Sequence, residues 1–175
     1  MVTIRDAGTE DAKDLLDIYS YYVEHTAISF ELTTPSLSEF KKRMNDIQKH
    51  YPYLVIEQDG QIKGYAYAHL FVGRDAYSYS AETTIYLDHD SQRCGLGRKL
   101  YEALEDRLKQ MGIINLYACI GVPLEEDEYL TNNSRDFHSH LGYRTVGTFI
   151  NCGRKFNKWY SMIWMEKLIG DHAAI

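Results

Sequence analysis

A glycine-rich turn lies between a strand-like segment and a helical pattern near the middle of the chain. The turn reads Q-R-C-G-L-G over residues 92–97, with Gly95 and Gly97 just before the helical spacing begins. The first N–H groups of a helix have no intrahelical partner and lie at the positive end of the helix dipole, so they attract anions. Glycine also lets a ligand approach the backbone closely. The pattern therefore predicts a site for an anionic group such as a phosphate.

Two well-known nucleotide loops do not fit the spacing of this turn. Leu100 stands where a dinucleotide-binding fingerprint has its third glycine, and the chain has no G-x-x-x-x-G-K-[ST] triphosphate loop. A helix start relaxed by glycine, without any ligand, is the alternative interpretation. Arg93, Arg98 and Lys99 would add positive charge at the turn, or lie on the solvated surface.

Composition limits the classes of partner. The chain has 175 residues and a formal net charge of −6. Without a Lys/Arg run, it offers no general attraction for nucleic acid or anionic lipid. It has no apolar run of about 18 residues, and its start, M-V-T-I-R-D, lacks the pattern of a secretion signal. We therefore expect a cytoplasmic protein with one domain at residues 1–169 and a flexible tail at residues 170–175.

The cysteines and histidines do not form a metal-binding pattern. Cys94, Cys119 and Cys152 are odd in number, widely spaced and without a C-x-x-C pair, which is typical of reduced thiols. We expect Cys119 and Cys152 to lie in the core. The histidines show no ligand spacing, so no metal is predicted.

Helical and strand patterns alternate along the chain and predict a mixed α/β fold. Thr9 is the expected N-cap of a first helix that reaches Val23. Ser36 and Glu39 form a capping box for a second helix, which reaches about Gln48.

The rest of the chain combines strands with two further helices. A third helix starts at about Gly97 and ends at Gly112, and Ser134 is the expected N-cap of a short helix that Gly142 ends. Strands are predicted where β-rich runs are bounded by turn residues, at about residues 2–5, 53–58, 62–70, 80–87, 115–120, 143–151 and 160–167. We therefore expect early helices, an antiparallel meander, a helical crossover and then more strands.

Five segments together resemble the phosphinothricin acetyltransferase branch of the GNAT (Gcn5-related N-acetyltransferase) superfamily. They are "IYSYYVEHTAISFE", "YPYLVIEQDGQIKGYAYA", "YSAETTIYLDHDSQRCGLGRKLY", "NSRDFHSHLGYRTVGTF" and "KFNKWYSMIWMEK", and they span nearly the whole chain. The resemblance implies the GNAT acyl-CoA N-acyltransferase fold, in which helices flank a central, mostly antiparallel sheet. It also implies a homodimeric enzyme that transfers acetyl from acetyl-CoA to the amino group of a small molecule. The segment G-V-P-L-E-E-D-E-Y-L-T-N-N-S is longer than the branch's G-x-P-N-D-P-S loop, which leaves the substrate open.

The resemblance also implies where acetyl-CoA binds. Its pantetheine amides would pair with the backbone of a strand, and its pyrophosphate would lie on the N–H groups of the glycine turn. Asn133 matches an asparagine that contacts the cofactor, although a turn or capping role is the alternative. The implied cofactor-binding set is Ile85, Tyr86, Leu87, Gln92, Arg93, Cys94, Gly95, Leu96, Gly97, Arg98 and Asn133.

Acetyl transfer requires a neutral amine, whereas an ordinary amine with a pKa of about 10 is mostly protonated at pH 7. Glu82 matches the family's catalytic glutamate and would act as general base in a direct transfer; an exposed, ion-paired carboxylate is the alternative. Strand alternation places Glu82 opposite Ile85 and Leu87, unless the bulge common in this superfamily intervenes. His138 would protonate the departing thiolate, act as a second base through water, or only pack or cap its helix.

The acceptor is predicted from polar and aromatic residues that precede Glu82. The Arg74 guanidinium, which aligns with an arginine of the family, could grip a carboxylate, phosphinate or sulfone, and Tyr77 and Tyr79 could wall the pocket. We therefore expect an amino-acid-like acceptor such as phosphinothricin, methionine sulfone or methionine sulfoximine. A polyamine, aminoglycoside or protein N-terminus is the alternative acceptor, and a non-catalytic acyl-CoA sensor is the alternative class. Lys155, Lys158 and Trp159 are further possible contacts.

Overall fold

The structure, a computed structural model, describes residues 1–91 and 94–174. Within these residues, helices and strands alternate as the sequence predicts. In chain order they are β1 (Val2–Asp6), α1 (Ala12–His25), α2 (Leu37–Gln48), β2 (Tyr53–Gln58), β3 (Gln61–Leu70), β4 (Ser80–Leu87), α3 (Leu96–Gln110), β5 (Asn115–Val122), α4 (Asn133–His140), β6 (Arg144–Lys155) and β7 (Lys158–Leu168).

The strands form one mixed sheet in the order β1-β2-β3-β4-β5-β7-β6. Neighbouring strands are antiparallel except at the centre, where β4 and β5 are parallel. A parallel pair needs a crossover connection, and α3 provides it between β4 and β5. The predicted α/β class, with a mostly antiparallel sheet flanked by helices, is confirmed.

Each face of the sheet carries its own apolar cluster. The leucines of α3 recur every four residues, and Leu100, Leu104 and Leu108 are fully buried against one face. Helices α1 and α2 cover the other face, where Leu15 and Met44 are buried. The sheet is therefore a partition between two packed layers, and side chains that alternate along a strand belong to different layers.

The predicted cap at Thr9 is wrong. Thr9–Asp11 form a short 3-10 turn, and α1 begins only at Ala12. The Asp11 carboxylate explains the difference, since it accepts hydrogen bonds from the Gly8 N–H at 2.7 Å and from the Arg5 guanidinium at 2.6 and 2.9 Å. Asp11 thereby ties β1 to the start of the helical layer.

The other helix boundaries follow the sequence more closely. The Ser36 hydroxyl caps α2 by accepting a bond from the Glu39 N–H at 3.2 Å, as predicted. Gly112 and Gly142 both follow helices with positive φ, as expected. Ser134 is not an N-cap, because α4 begins at Asn133 after the N-cap Asn132.

Strands β6 and β7 are longer than predicted. They extend to Lys155 and from Lys158, so that Phe156 and Asn157 alone form the turn, with φ values of 49° and 60°. Two left-handed residues are typical of a tight hairpin, but a turn without glycine gave no sequence signal here.

Cys119 and Cys152 are exposed, so their predicted place in the core is wrong. Strand alternation explains the position of Cys119, because its neighbours Ala118 and Ile120 are the residues of β5 that pack under α3. The same alternation turns the thiol toward the opposite face of the sheet.

The C-terminal residues lie against the β4–β5 connection. The Ile169 N–H donates to the Ile114 carbonyl at 2.8 Å, and His172 Nε2 lies 2.9 Å from Asn115 Oδ1. Within the described ranges, no helix has the length and apolarity needed to cross a membrane.

Candidate active site

The two central strands, β4 and β5, separate partway along their length. In the described part of the chain, β4 and β5 pair only from Ser80–Asn115 to Glu82–Tyr117, although both strands continue beyond. The Thr83 hydroxyl donates across the start of the gap to the Tyr117 carbonyl at 3.2 Å. Past this point, the facing backbone groups of the two strands are left for another partner.

A cavity of about 470 Å³ occupies the gap. Residues 83–86 of β4 and residues 118–121 of β5 form its two sides, and residues 28–31, after α1, close one end. Because the gap opens through the sheet, the cavity has lining residues from both layers. It is large enough for a small ligand or part of a larger one.

Glu82 lines this cavity at the last paired position of β4. Its side chain is 18% exposed, and its Oε1 lies 3.7 Å from His69 Nε2 on the neighbouring strand. Burial raises the pKa of the Glu82 carboxyl, and the nearby His69 opposes this shift. A carboxylate with a raised pKa is a stronger base than an exposed one, so Glu82 suits proton removal.

Strand alternation acts as the sequence predicted. Ile85 and Leu87 pack with the α3 layer, whereas Tyr86 packs with the α1–α2 layer, which is the side of Glu82. The expected bulge is absent from the β3–β4 ladder, which runs without a register shift from Gly64–Leu87 to Leu70–Ala81. The parting of β4 from β5 reconciles the two faces instead.

His138 lies on α4 and is buried. It lines the cavity on the α3 side of the sheet, whereas Glu82 lies on the α1–α2 side. Its Nδ1 lies 2.7 Å from the Ser134 carbonyl oxygen, and its Nε2 lies 2.9 Å from the Tyr101 hydroxyl. Burial lowers the pKa of His138 to about 4, so the ring is neutral at pH 7. Since a carbonyl only accepts, Nδ1 carries the proton and Nε2 accepts from Tyr101. The imidazole therefore has no Nε2 proton to give to a ligand.

Tyr101 is a cavity residue that the sequence analysis missed. It is fully buried on α3, and its hydroxyl lies 3.2 Å from Thr83 Oγ1 as well as beside His138. Its position one residue after Leu100, within the core stripe of α3, made it indistinguishable from packing. Only the structure distinguishes Tyr101 from a packing residue, because it shows the hydroxyl at the gap.

The described part of the glycine turn, residues 94–97, leads directly into α3. Gly95 precedes the helix with φ +80°, and a Cβ added there would meet nothing within 4 Å. Position 97 is a glycine for a different reason, close packing, because a Cβ there would lie 3.1 Å from the Phe137 ring and 3.2 Å from Leu87. Gly97 is thus required for packing and Gly95 for the backbone turn.

The other predicted cofactor residues differ in placement. Cys94 and Arg98 are exposed, the Cys94 thiol donates to the Ser91 carbonyl at 2.8 Å, and Leu96 is buried in the core. Asn133 is exposed at the first turn of α4. Gln92 and Arg93 lie outside the described residues.

The structure does not bring the predicted acceptor residues into the cavity. Arg74, Tyr77 and Tyr79 are exposed on the β3–β4 connection, and none of them lines the cavity. The Tyr79 carbonyl instead accepts from the N–H groups of Ile114 and Asn115, which fixes the entry to β5. The cavity wall beside Glu82 is formed by other residues, which sequence reasoning missed: Ile28, Ser29, Phe30, Glu31, Tyr67, His69, Cys119 and Met162.

The lengthened loop before α4 is tied to this wall. Asp127 Oδ2 accepts from Lys158 Nζ and from the Tyr160 hydroxyl, each at 3.0 Å, and its Oδ1 accepts two N–H groups of its own loop. The Tyr129 carbonyl then accepts from the Ala27 N–H at 3.0 Å. The loop therefore holds the segment that closes the end of the cavity.

Comparisons with known proteins agree with this arrangement. A family model described as an acetyltransferase (GNAT) domain matches residues 4–164. The protein therefore belongs to the GNAT acetyltransferase family and is an N-acetyltransferase. The predicted fold and superfamily are confirmed.

The relatives come from the branch that the sequence resembles. The phosphinothricin N-acetyltransferase of Streptomyces viridochromogenes is 32% identical over 95% of this chain and 87% of its own length. The L-methionine sulfoximine/L-methionine sulfone acetyltransferase of Salmonella typhimurium is 29% identical over 99% of this chain and 98% of its own. The phosphinothricin acetyltransferase of Sinorhizobium meliloti, solved with acetyl-CoA, has a TM-score of 0.90 at 30% identity, covering 99% of this chain and 91% of that one.

The protonation state of His138 is directly testable. In a ¹⁵N NMR titration, we expect its ring to be the neutral Nδ1–H tautomer at pH 7 and to titrate near the pKa of about 4, because burial disfavours the imidazolium. The unfolded chain binds this proton at a higher pH, so His138 should contribute stability that is lost as the pH falls from about 6.5 toward 4. The signal is assigned by its loss in His138→Asn. Titration near 6.5 would contradict the assignment.

Proposed function

We propose that this enzyme transfers the acetyl group of acetyl-CoA directly to the amino group of a small amino-acid-like acceptor, with Glu82 as general base. The observation that carries the proposal is the Glu82 carboxylate, only 18% exposed, at the point where β4 and β5 part. Relatives named for phosphinothricin and for methionine sulfoximine or sulfone support this acceptor class. Two relatives solved with acetyl-CoA support the donor.

The donor would bind along the gap. Its pyrophosphate would accept hydrogen bonds from the first N–H groups of α3, after the left-handed Gly95. Its pantetheine amides would pair with the free edge of β4 near Ile85 and Tyr86. The Leu87 carbonyl already accepts a hydrogen bond from the Tyr22 hydroxyl at 2.5 Å, so the pairing would end before it.

The chemistry would then run from one sheet layer to the other. Glu82 takes a proton from the acceptor ammonium, directly or through water, and the neutral amine attacks the thioester carbonyl. The C–S bond breaks as the amide forms, coenzyme A departs as a thiolate, and the further proton that the nitrogen loses passes to this thiolate. The Tyr101 hydroxyl has one proton, which it donates to the Nε2 of neutral His138. This proton would turn toward the thiolate as negative charge develops there, and His138 would position Tyr101 until then. The thioester is already activated, so placing the amine beside it supplies much of the rate.

Replacement of the base tests the mechanism. Glu82→Gln should lower kcat about a hundredfold or more, since general base catalysis contributes roughly 10²–10⁴-fold. Coenzyme A release is measured with a panel of amines. Glu166→Gln is the matched control, because Glu166 is a glutamate of β7 with 15% exposure, pairs with Arg144 and lies outside the cavity. Near-normal turnover by Glu82→Gln would reject the base. Tight binding of acetyl-CoA without turnover of any amine would favour the sensor.

A matched pair of glycines tests the donor site. Gly95 and Gly112 flank the two ends of α3 with φ values of 80° and 83°, and an added Cβ would meet nothing at either. Alanine in a left-handed position should cost about 1 kcal/mol of stability in both variants. Only Gly95→Ala should raise the KM for acetyl-CoA, by several-fold. An unchanged KM, or an equal rise in both variants, would refute the assignment of the pyrophosphate.

We also propose that the enzyme is a homodimer joined through the β6–β7 hairpin. Phe149, Ile150 and Trp159 are 52, 72 and 58% exposed there, on and beside an edge strand. Light scattering after gel filtration should give twice the 20.3 kDa mass of the chain. Ile150→Asp should yield monomers, whereas the exposed Met111→Asp at the end of α3 should not. A monomeric wild-type protein would refute the dimer.

A further inference from the structure

Two tyrosines on the α1–α2 face of the sheet have hydroxyls without a hydrogen-bond partner within residues 1–91 and 94–174. Tyr53 on β2 and Tyr65 on β3 are 3% and 1% exposed, and their rings stack with centroids 5.7 Å apart. Neither hydroxyl donates or accepts a bond there, yet neither oxygen is sealed from solvent. Both hydroxyls are therefore open to water or to a ligand.

Both tyrosines line a second cavity of about 450 Å³ that continues the first. Glu31, Tyr67 and His69 border both cavities. His69 is also the residue that lies 3.7 Å from Glu82. A ligand whose amine lies at Glu82 can therefore extend past His69 into the second cavity.

The charged side chains that border the second cavity are already paired. Arg43 bonds to Glu31 at 2.5 Å and also to Glu39, and Asp46 bonds to Lys49 at 2.6 Å. The lining therefore offers no unpaired cation for an anionic group, and burying a charge without a partner is costly.

The remaining polar lining offers neutral hydrogen bonds. The Tyr19 hydroxyl is bonded to Ser29 at 2.9 Å. Phe40 and Met44 supply apolar walls. The hydroxyls of Tyr53 and Tyr65 are thus left to bond to a ligand, and each can both donate and accept a hydrogen bond.

We propose that this tyrosine-lined cavity is a second acceptor subsite, which binds the end of the acceptor distal to its amine and selects a neutral hydrogen-bonding group over an anionic one. A sulfone, sulfoximine or amide oxygen would accept from the two phenols, while an apolar stem would lie against Phe40 and Met44. The inference rests on the proposed function, because it takes the amine at Glu82 as its starting point. It narrows the acceptor class from amino-acid-like compounds in general to those with a neutral polar tail.

Three acceptors and one double variant test the subsite through coenzyme A release. Methionine sulfone has a neutral polar tail, methionine lacks its oxygens, and phosphinothricin carries an anionic phosphinate. The wild-type enzyme should use methionine sulfone with the highest kcat/KM. Tyr53→Phe/Tyr65→Phe removes only the two hydroxyls and should lower kcat/KM for methionine sulfone about thirtyfold, through the acceptor KM, since two hydrogen bonds of about 1 kcal/mol each are lost. The kcat/KM for methionine and the KM for acetyl-CoA should be unchanged.

Tyr51→Phe is the control for the substitution itself, because Tyr51 is half-buried and borders neither cavity. It should behave as wild type with all three acceptors. An unchanged ratio of methionine sulfone to methionine in the double variant, or a wild-type preference for phosphinothricin, would overturn the subsite and leave the proposed function intact. Absence of coenzyme A release with every amine would overturn the proposed function, and the subsite with it.

Discussion

The parting of β4 from β5 beyond Glu82 and Tyr117 is the constraint on which the site depends. β5 remains paired with β7 over its whole length, and β4 remains paired with β3 as far as Leu87. Each strand is thus held firmly from its outer side, and the inner edges of both are left open. Unpaired strand backbone must find another partner, so the fold itself creates a place for an extended, amide-bearing ligand. The gap also joins two side-chain layers that an unbroken sheet would separate.

The wall opposite this gap is held by contacts from distant parts of the chain. The Lys155 ammonium, only 5% exposed, donates to the Ser29 carbonyl at 2.7 Å, and the Ala27 N–H donates to the loop that Asp127 fixes. Phe30 fits beside Gly153, where an added Cβ would come within 2.4 Å of its ring. The lengthened loop and the β6–β7 hairpin therefore hold residues 28–31, the segment that closes one end of the cavity.

The sequence was sufficient wherever local chemistry decides the structure. The leucine repeat of α3, the Ser36 cap and the left-handed glycines Gly95 and Gly112 each carry their own signal. Tyr101 carried no such signal, because a tyrosine in a core stripe differs from a packing residue only when α4 brings His138 to its hydroxyl. The cavity wall beside Glu82 could not be predicted for the same reason, since it is assembled from segments far apart in sequence. Arg74 was selected because it aligns with an arginine of the family and precedes Glu82 in the chain, but it lies on the β3–β4 connection, outside the cavity.

Burial shifts the pKa values of Glu82 and His138 toward the neutral form, and the two sides of the gap use this differently. At His138 nothing opposes burial except the Ser134 carbonyl, so the ring stays uncharged and only orients Tyr101. At Glu82, burial raises the pKa of the carboxyl, and the nearby His69 opposes this shift. A weakly solvated carboxylate gains more from taking a proton than an exposed one does. The Glu82 side of the gap is therefore suited to proton removal, whereas on the opposite side the Tyr101 proton is held by neutral His138.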